Sequence, residues 1–137
     1  MALKSFKPYT KSTRSTILVD KSDLWKGKPE KSLTKFKKRA VGRNNQGRIT
    51  TRHKMMGHKK RYRLIDFKRA KSDIPAEVKR FEYDPFRSAN IMLIEYQDKV
   101  LNYVLGVEGL KIGDKVVSGD KTEVQKGNSM MLKNIPA

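Results

Sequence analysis

Ten cations crowd into the 28 residues from Gly42 to Arg69, and the chemistry open to them is the binding of a polyanion. Arg43, Arg48, Arg52, Lys54, Lys59, Lys60, Arg61, Arg63, Lys68 and Arg69 stand against a single acid, Asp66. Arginine offers a planar fork that pairs bidentately with phosphate, and lysine a compact ammonium. Gly42, Gly47 and Gly57 let the main chain turn sharply or lie close against a groove. Asn44, Asn45, Gln46, Thr50 and Thr51 add uncharged groups able to bond 2′-hydroxyls and base edges. A run this cationic cannot bury its own charges without losing their hydration, so it needs an anionic partner.

Other chemistries find less support. His53 and His58 lie five apart, but a metal site wants three or four ligands and Asp66 is the only nearby acid. They read as two further donors on a cationic surface, and no metal is expected. Gly42 and Gly47 have the spacing of a phosphate-loop glycine pair, yet no Lys-Ser/Thr follows. Glu82 and Asp84 read as exposed acids in surface ion pairs with Arg80 and Arg87. No nucleophile, base and orienting group belong together, so neither catalysis, a cofactor nor a small-molecule substrate is expected. DNA is disfavoured because no recognition helix or basic zipper is visible. Folded RNA suits an irregular basic loop.

The distribution of charge sharpens this. Over 137 residues the formal net charge is +18, with 22 Lys and Arg against 4 Asp and Glu in residues 1–70 and 10 of each in the remainder. A polycationic first half is joined to an electroneutral second half that can fold conventionally. Such a field attracts nucleic acid, or less readily an anionic membrane surface, and no membrane partner is expected. There is no cysteine, hence no disulfide or thiolate ligand. No run of 18 apolar residues spans a membrane. The opening residues MALKSFKPYTKSTRSTILV lack a secretory core. They are basic and serine-rich like an organelle transit peptide, although Pro8 and the missing apolar helical face argue against that.

The elements that must hold the basic stretch read as strands. Residues 1–41 form an extended basic arm, or else a disordered tail, with a short strand at Ile17–Val19, a small apolar anchor at Leu24-Trp25 and no helix of useful length. Lys60–Phe67 alternates, with Arg61, Arg63 and Ile65 on one side. Val78, Phe81 and Tyr83 are out of step, which predicts a bulge in Glu77–Tyr83. Asp84-Pro85 turns the chain. Ala89–Tyr96 is apolar almost throughout and reads as a strand buried on both faces. Val100–Val107 is another strand, Val116-Val117 centres a third, and Gly127-Asn128 makes a last turn before Ser129–Leu132. The fold class is therefore mainly β: a small antiparallel OB-fold-like barrel over residues 60–137, preceded by a long basic N-terminal arm and loop (1–59) ordered on RNA.

GRNNQGRIT, GHKKRYRLIDFKR, EYDPFRSANIMLIEY, GDKV and GN-S-M, in this order and spacing, closely resemble the bacterial-type ribosomal protein L-two family of the large ribosomal subunit. ALKSFKPYT and WKGKPEKSLTK look like that family's N-terminal arm. The resemblance covers the whole chain but only the family's N-terminal half; the second β-barrel would begin where Asn134-Ile135-Pro136-Ala137 stands. It implies a structural, non-enzymatic role in binding and organising large-subunit rRNA among neighbouring ribosomal proteins. Carried over by position, Arg43, Asn44, Arg48, Arg52, His58, Lys59, Lys60, Arg61 and Arg63 would contact rRNA, Lys68 and Arg69 would extend the surface, and Arg87 would join it.

Two departures stand out. Met55-Met56-Gly57 replaces the family's glycine triplet, so methionine fills space that backbone would occupy. The histidine-bearing loop of the peptidyl-transferase region belongs to the family's other half, and no such role is carried over. Because the resemblance stops halfway along the family, either a truncation or a split gene is expected, and the apolar end SMMLKNIP favours a separate chain that completes the protein by packing there. That would favour a mitochondrial ribosome, with the bacterial cytoplasm as the alternative. The competing reading is an OB-fold protein binding single-stranded nucleic acid on its own, with Tyr62, Phe67, Tyr96 and Tyr103 as stacking platforms.

Overall fold

The computed structural model describes residues 3–37, 40–55 and 57–136. Its centre is the strand β6 (Ile91–Tyr96). Side chains alternate across a strand, and here both faces are apolar: Met92, Ile94 and Tyr96 point one way, Ile91 and Leu93 the other. β5 (Ala76–Glu82) and β7 (Leu101–Leu105) flank it antiparallel, and β8 (Lys115–Val116) adds to the far side of β5, giving the order β7-β6-β5-β8. The sheet curls into a half-barrel, so the domain is mainly β and OB-fold-like.

The predicted bulge is present. The β5–β6 register shifts between Val78 and Arg80, which lets Val78 and Phe81 both turn toward the larger core. That core joins Ala76, Val78, Met92, Ile94, Tyr96, Val104 and Val116, with Ile74, Phe81 and Leu110 against it. Each such aliphatic side chain contributes about 1.5–3 kcal/mol on burial.

The opposite face of β6 carries Ile91 and Leu93, with Tyr103 of β7 beside them, and is covered by Leu33, Ile65 and Leu101. Leu33 arrives from the residue before β3 (Thr34–Phe36), which pairs antiparallel with β4 (Arg61–Arg63). The Leu64 N–H donates to the Leu33 carbonyl at 2.9 Å, and the Asp66 N–H to the Tyr103 carbonyl at 2.8 Å. The alternating run predicted over Lys60–Phe67 is thus a three-residue strand followed by a parallel bridge from Ile65 to Tyr103. Nearer the N-terminus, β1 (Leu3–Ser5) pairs with β2 (Ile17–Val19) around a single helical turn, α1 (Lys11–Arg14), capped by Thr10. After the Gly127-Asn128 turn, Ser129 bridges to Ser118 and the chain closes in a 3₁₀ turn over Leu132–Asn134.

Candidate nucleic-acid interface

The loop from Gly42 to Thr51 is shaped by its own hydrogen bonds. The Asn44 carboxamide oxygen accepts the N–H groups of Gln46 at 3.0 Å and Arg48 at 2.9 Å. The Asn44 N–H donates to the Arg48 carbonyl, and the Gly42 carbonyl takes both the Thr50 and Thr51 N–H groups. Gly42 has φ +66°, and a Cβ there would lie 2.4 Å from the Thr51 carbonyl oxygen. A side chain is excluded on both counts. The loop is therefore preformed, and it holds Arg43 and Arg48 at its surface.

The structure separates the twelve residues expected to contact RNA into two groups. Arg43, Arg48, Arg52, His58, Lys59, Arg61 and Lys68 are exposed, and among the described residues none of their side chains is in an ion pair. The other five are engaged with the protein. Asn44 commits its acceptor oxygen inside the loop. Lys60 reaches inward to the Pro85 carbonyl at 3.3 Å. Arg63 is half-buried and donates from Nη1 to the Arg61 carbonyl at 2.9 Å. Arg69 is half-buried at φ +50°, its N–H held by the Asp66 carboxylate. The Arg87 Nε donates to Asp84 at 2.7 Å. Met55 is exposed, while Met56 lies outside the described residues.

The single acid of the stretch neutralises no cation there. Asp66 accepts the Arg69 N–H on one oxygen and the Asn102 side-chain amide on the other, at 3.0 Å, which ties the end of the basic segment to β7. All five ion pairs among the described residues lie between Lys71 and Asp98. Among the described residues, no lysine or arginine before position 71 has a carboxylate partner within salt-bridge distance.

Two readings of the acids and aromatics change. Glu82 and Asp84 pair with Arg80 and Arg87 as expected, but they are not exposed: their relative exposures are 3% and 0%. Burial of a carboxylate demands full satisfaction of its lone pairs. Glu82 accepts from Arg80 Nε at 2.7 Å and from the Tyr103 hydroxyl at 2.9 Å. The same hydroxyl accepts the Glu30 N–H at 2.9 Å, and the Arg80 guanidinium lies 4.8 Å from the Trp25 ring. Burial pushes the Tyr103 phenol up to about 12. This network fastens the 25–30 segment to the barrel, and sequence inspection misses it because the Glu30–Tyr103 hydrogen bond joins residues 73 apart.

Among the proposed stacking platforms, Tyr103 and Tyr96 are buried, Tyr62 packs edge-on against Phe86, and exposed Phe67 lies 5.6 Å from the Arg87 guanidinium. These four therefore make no aromatic row for single strands on the barrel face.

Fold and surface together define an OB-fold-like β-domain with exposed cations that, among the described residues before position 71, no carboxylate neutralises. The family model described as "Ribosomal Proteins L2, RNA binding N-terminal domain" matches residues 30–118. The chain belongs to that ribosomal protein family. It is 57% identical over 136 residues to the large ribosomal subunit protein uL2 of Granulibacter bethesdensis, which aligns 99% of this chain with 49% of that protein. Identity is 58% over 137 residues to the uL2 of Rhodospirillum centenum and 55% over 137 residues to that of Pelagibacter ubique, with 99% of this chain aligned to 50% and 49% of them. The chain thus spans about half the length of the curated relatives it matches. These relatives are bacterial, and they lend no support to the expected mitochondrial location.

Proposed function

We propose that this chain is a structural constituent of the large ribosomal subunit that binds and organises rRNA. Arg43, Arg48, Arg52, His58, Lys59, Arg61 and Lys68 make the contacts, and the half-buried Arg63 and Arg69 shape the surface from behind. The observation that carries the reading is the placement of ion pairs. The second half neutralises cations internally, whereas the described cations of the first half stand without carboxylate partners. A surface held at that potential gains its affinity by displacing counterions from a polyanion. We take residues 60–137 as the barrel and residues 1–59 as the arm and loop that RNA covers. The exposed Met131, Leu132 and Ile135 are where the remainder of the family's length packs, in this chain or a separate one.

Filter binding to large-subunit rRNA across a salt series tests the assignment. Replacing Arg43, Arg48, Lys59 and Arg61 together with alanine should flatten the log–log salt slope by roughly 0.7–0.9 for each phosphate that goes unneutralised. The fold should be retained, since these side chains stand outside the core. An unchanged slope would refute the interface. Cosedimentation with large subunits in high salt distinguishes an assembled constituent from an independent single-strand binder.

A further inference from the structure

A cleft of about 690 Å³ opens between the β1–β2 hairpin and the end of β5, within the range of about 300–1,000 Å³ typical of small-ligand sites. Phe6, Leu18 and Val19 line it from the hairpin and Tyr83 from the barrel, all four exposed in part. Lys4, Lys21 and Lys26 also line it, and none of the three is in a salt bridge among the described residues. The one acid in the wall, Asp20, is turned onto Ser22 through its N–H and hydroxyl. The Lys21 ammonium stands 3.4 Å from the Tyr83 ring centroid and the Lys4 ammonium 5.9 Å from that of Phe6. Two aromatic faces are thus each paired with a cation, on stems long enough to swing from ring to phosphate.

We propose that this cleft takes one unpaired nucleotide of the bound RNA, its base against Tyr83 and Phe6 and its phosphate on Lys4, Lys21 and Lys26. The proposal rests on the rRNA-binding reading above and adds to it a single-stranded subsite. Planar faces beside cations are what base stacking and phosphate neutralisation require together. An acidic peptide would answer the lysines but leave both rings without a planar partner. The cleft is also continuous with the basic stretch. Arg87 in its wall lies against Phe67, and Lys60 bonds the Pro85 carbonyl two residues after Tyr83.

The test uses the full chain with a short single-stranded oligoribonucleotide carrying 2-aminopurine, and with the same strand fully duplexed. The single strand should lose fluorescence on binding and the duplex should not. Phe6→Ala with Tyr83→Ala should abolish the quench and weaken single-strand binding roughly ten-fold, while the salt slope on large-subunit rRNA stays as in the parent. Lys21→Gln, which leaves both rings in place, should keep the quench and lower the single-strand salt slope by roughly 0.7, the share of one phosphate. Quenching that survives the double substitution overturns the proposal. So does absence of quenching in the parent while rRNA still binds with its full salt slope, an outcome that leaves the rRNA reading standing. Failure to bind rRNA at all defeats both. Poly-glutamate binding without any quench would reassign the cleft to an acidic peptide.

Discussion

Tyr103 shows how much one buried hydroxyl can hold. It donates to Glu82, accepts the Glu30 N–H, and has no solvent exposure. Tyr103→Phe keeps the ring but leaves Glu82 and Glu30 each short of a partner, which should cost about 1–3 kcal/mol in urea unfolding. The cost depends on pH with a definite sign. Burial raises the phenol from 10.0 in the unfolded chain to about 12 in the fold. The folded state therefore retains a proton that the unfolded state gives up, and stability is full below pH 10 and lost as pH climbs toward 12, at about 1.4 kcal/mol per pH unit. Every other group is common to both proteins and cancels, so the gap between parent and Tyr103→Phe should narrow over that window. A gap that stays constant would mean the phenol is not held protonated. Sequence inspection gets the Arg80–Glu82 and Arg87–Asp84 partners right from proximity alone. It misjudges their burial, because a carboxylate beside an arginine looks the same in sequence whether water reaches it or, as for Glu82, a distant tyrosine bonds it.

At the scale of elements, β5, β6 and β7 are legible in the sequence because their partners are local and their apolar pattern is dense. The bulge follows from Val78 and Phe81 being out of step. β3 is not legible: Thr34–Phe36 is too short to show a period, and its partner β4 lies well downstream, so only the closed fold reveals the pairing. The loop at 42–51 reads as a binding element, but the pattern of amides points Asn44 outward when its oxygen is the loop's internal brace. The glycines on either side of it make distinct predictions. Gly47 has φ +79° with nothing within 4 Å of where a Cβ would stand, so Gly47→Ala meets only the left-handed backbone cost, about 1–2 kcal/mol. Gly42→Ala adds a collision with the Thr51 carbonyl and must reshape the loop. Gly42→Ala should therefore lose more affinity for large-subunit rRNA than Gly47→Ala, with the far-ultraviolet dichroism of both unchanged. Equal losses would show that loop shape is not what RNA reads.

For the whole molecule, the division of charge between the halves is the property from which the rest follows. That division is plain from the sequence, since a count of lysine and arginine against aspartate and glutamate needs no coordinates. What a count leaves open is whether the second half's acids fold back to neutralise the first half's cations. The five ion pairs between Lys71 and Asp98 answer, for the described residues, that they do not. Repulsion among like charges destabilises a compact chain and is screened by salt, the Debye length falling from about 10 Å at 0.1 M to about 3 Å at 1 M. The isolated protein should accordingly melt a few degrees higher in about 1 M than in about 0.1 M sodium chloride. Bound to rRNA it should behave in the opposite way, because ligand binding to the folded state stabilises it and salt removes that ligand. The two melting curves should converge as salt rises, which differential scanning calorimetry on the protein with and without rRNA can follow. An isolated chain that melts lower in added salt would mean that its cations are already compensated within the fold, and the surface would then have no electrostatic reason to seek RNA.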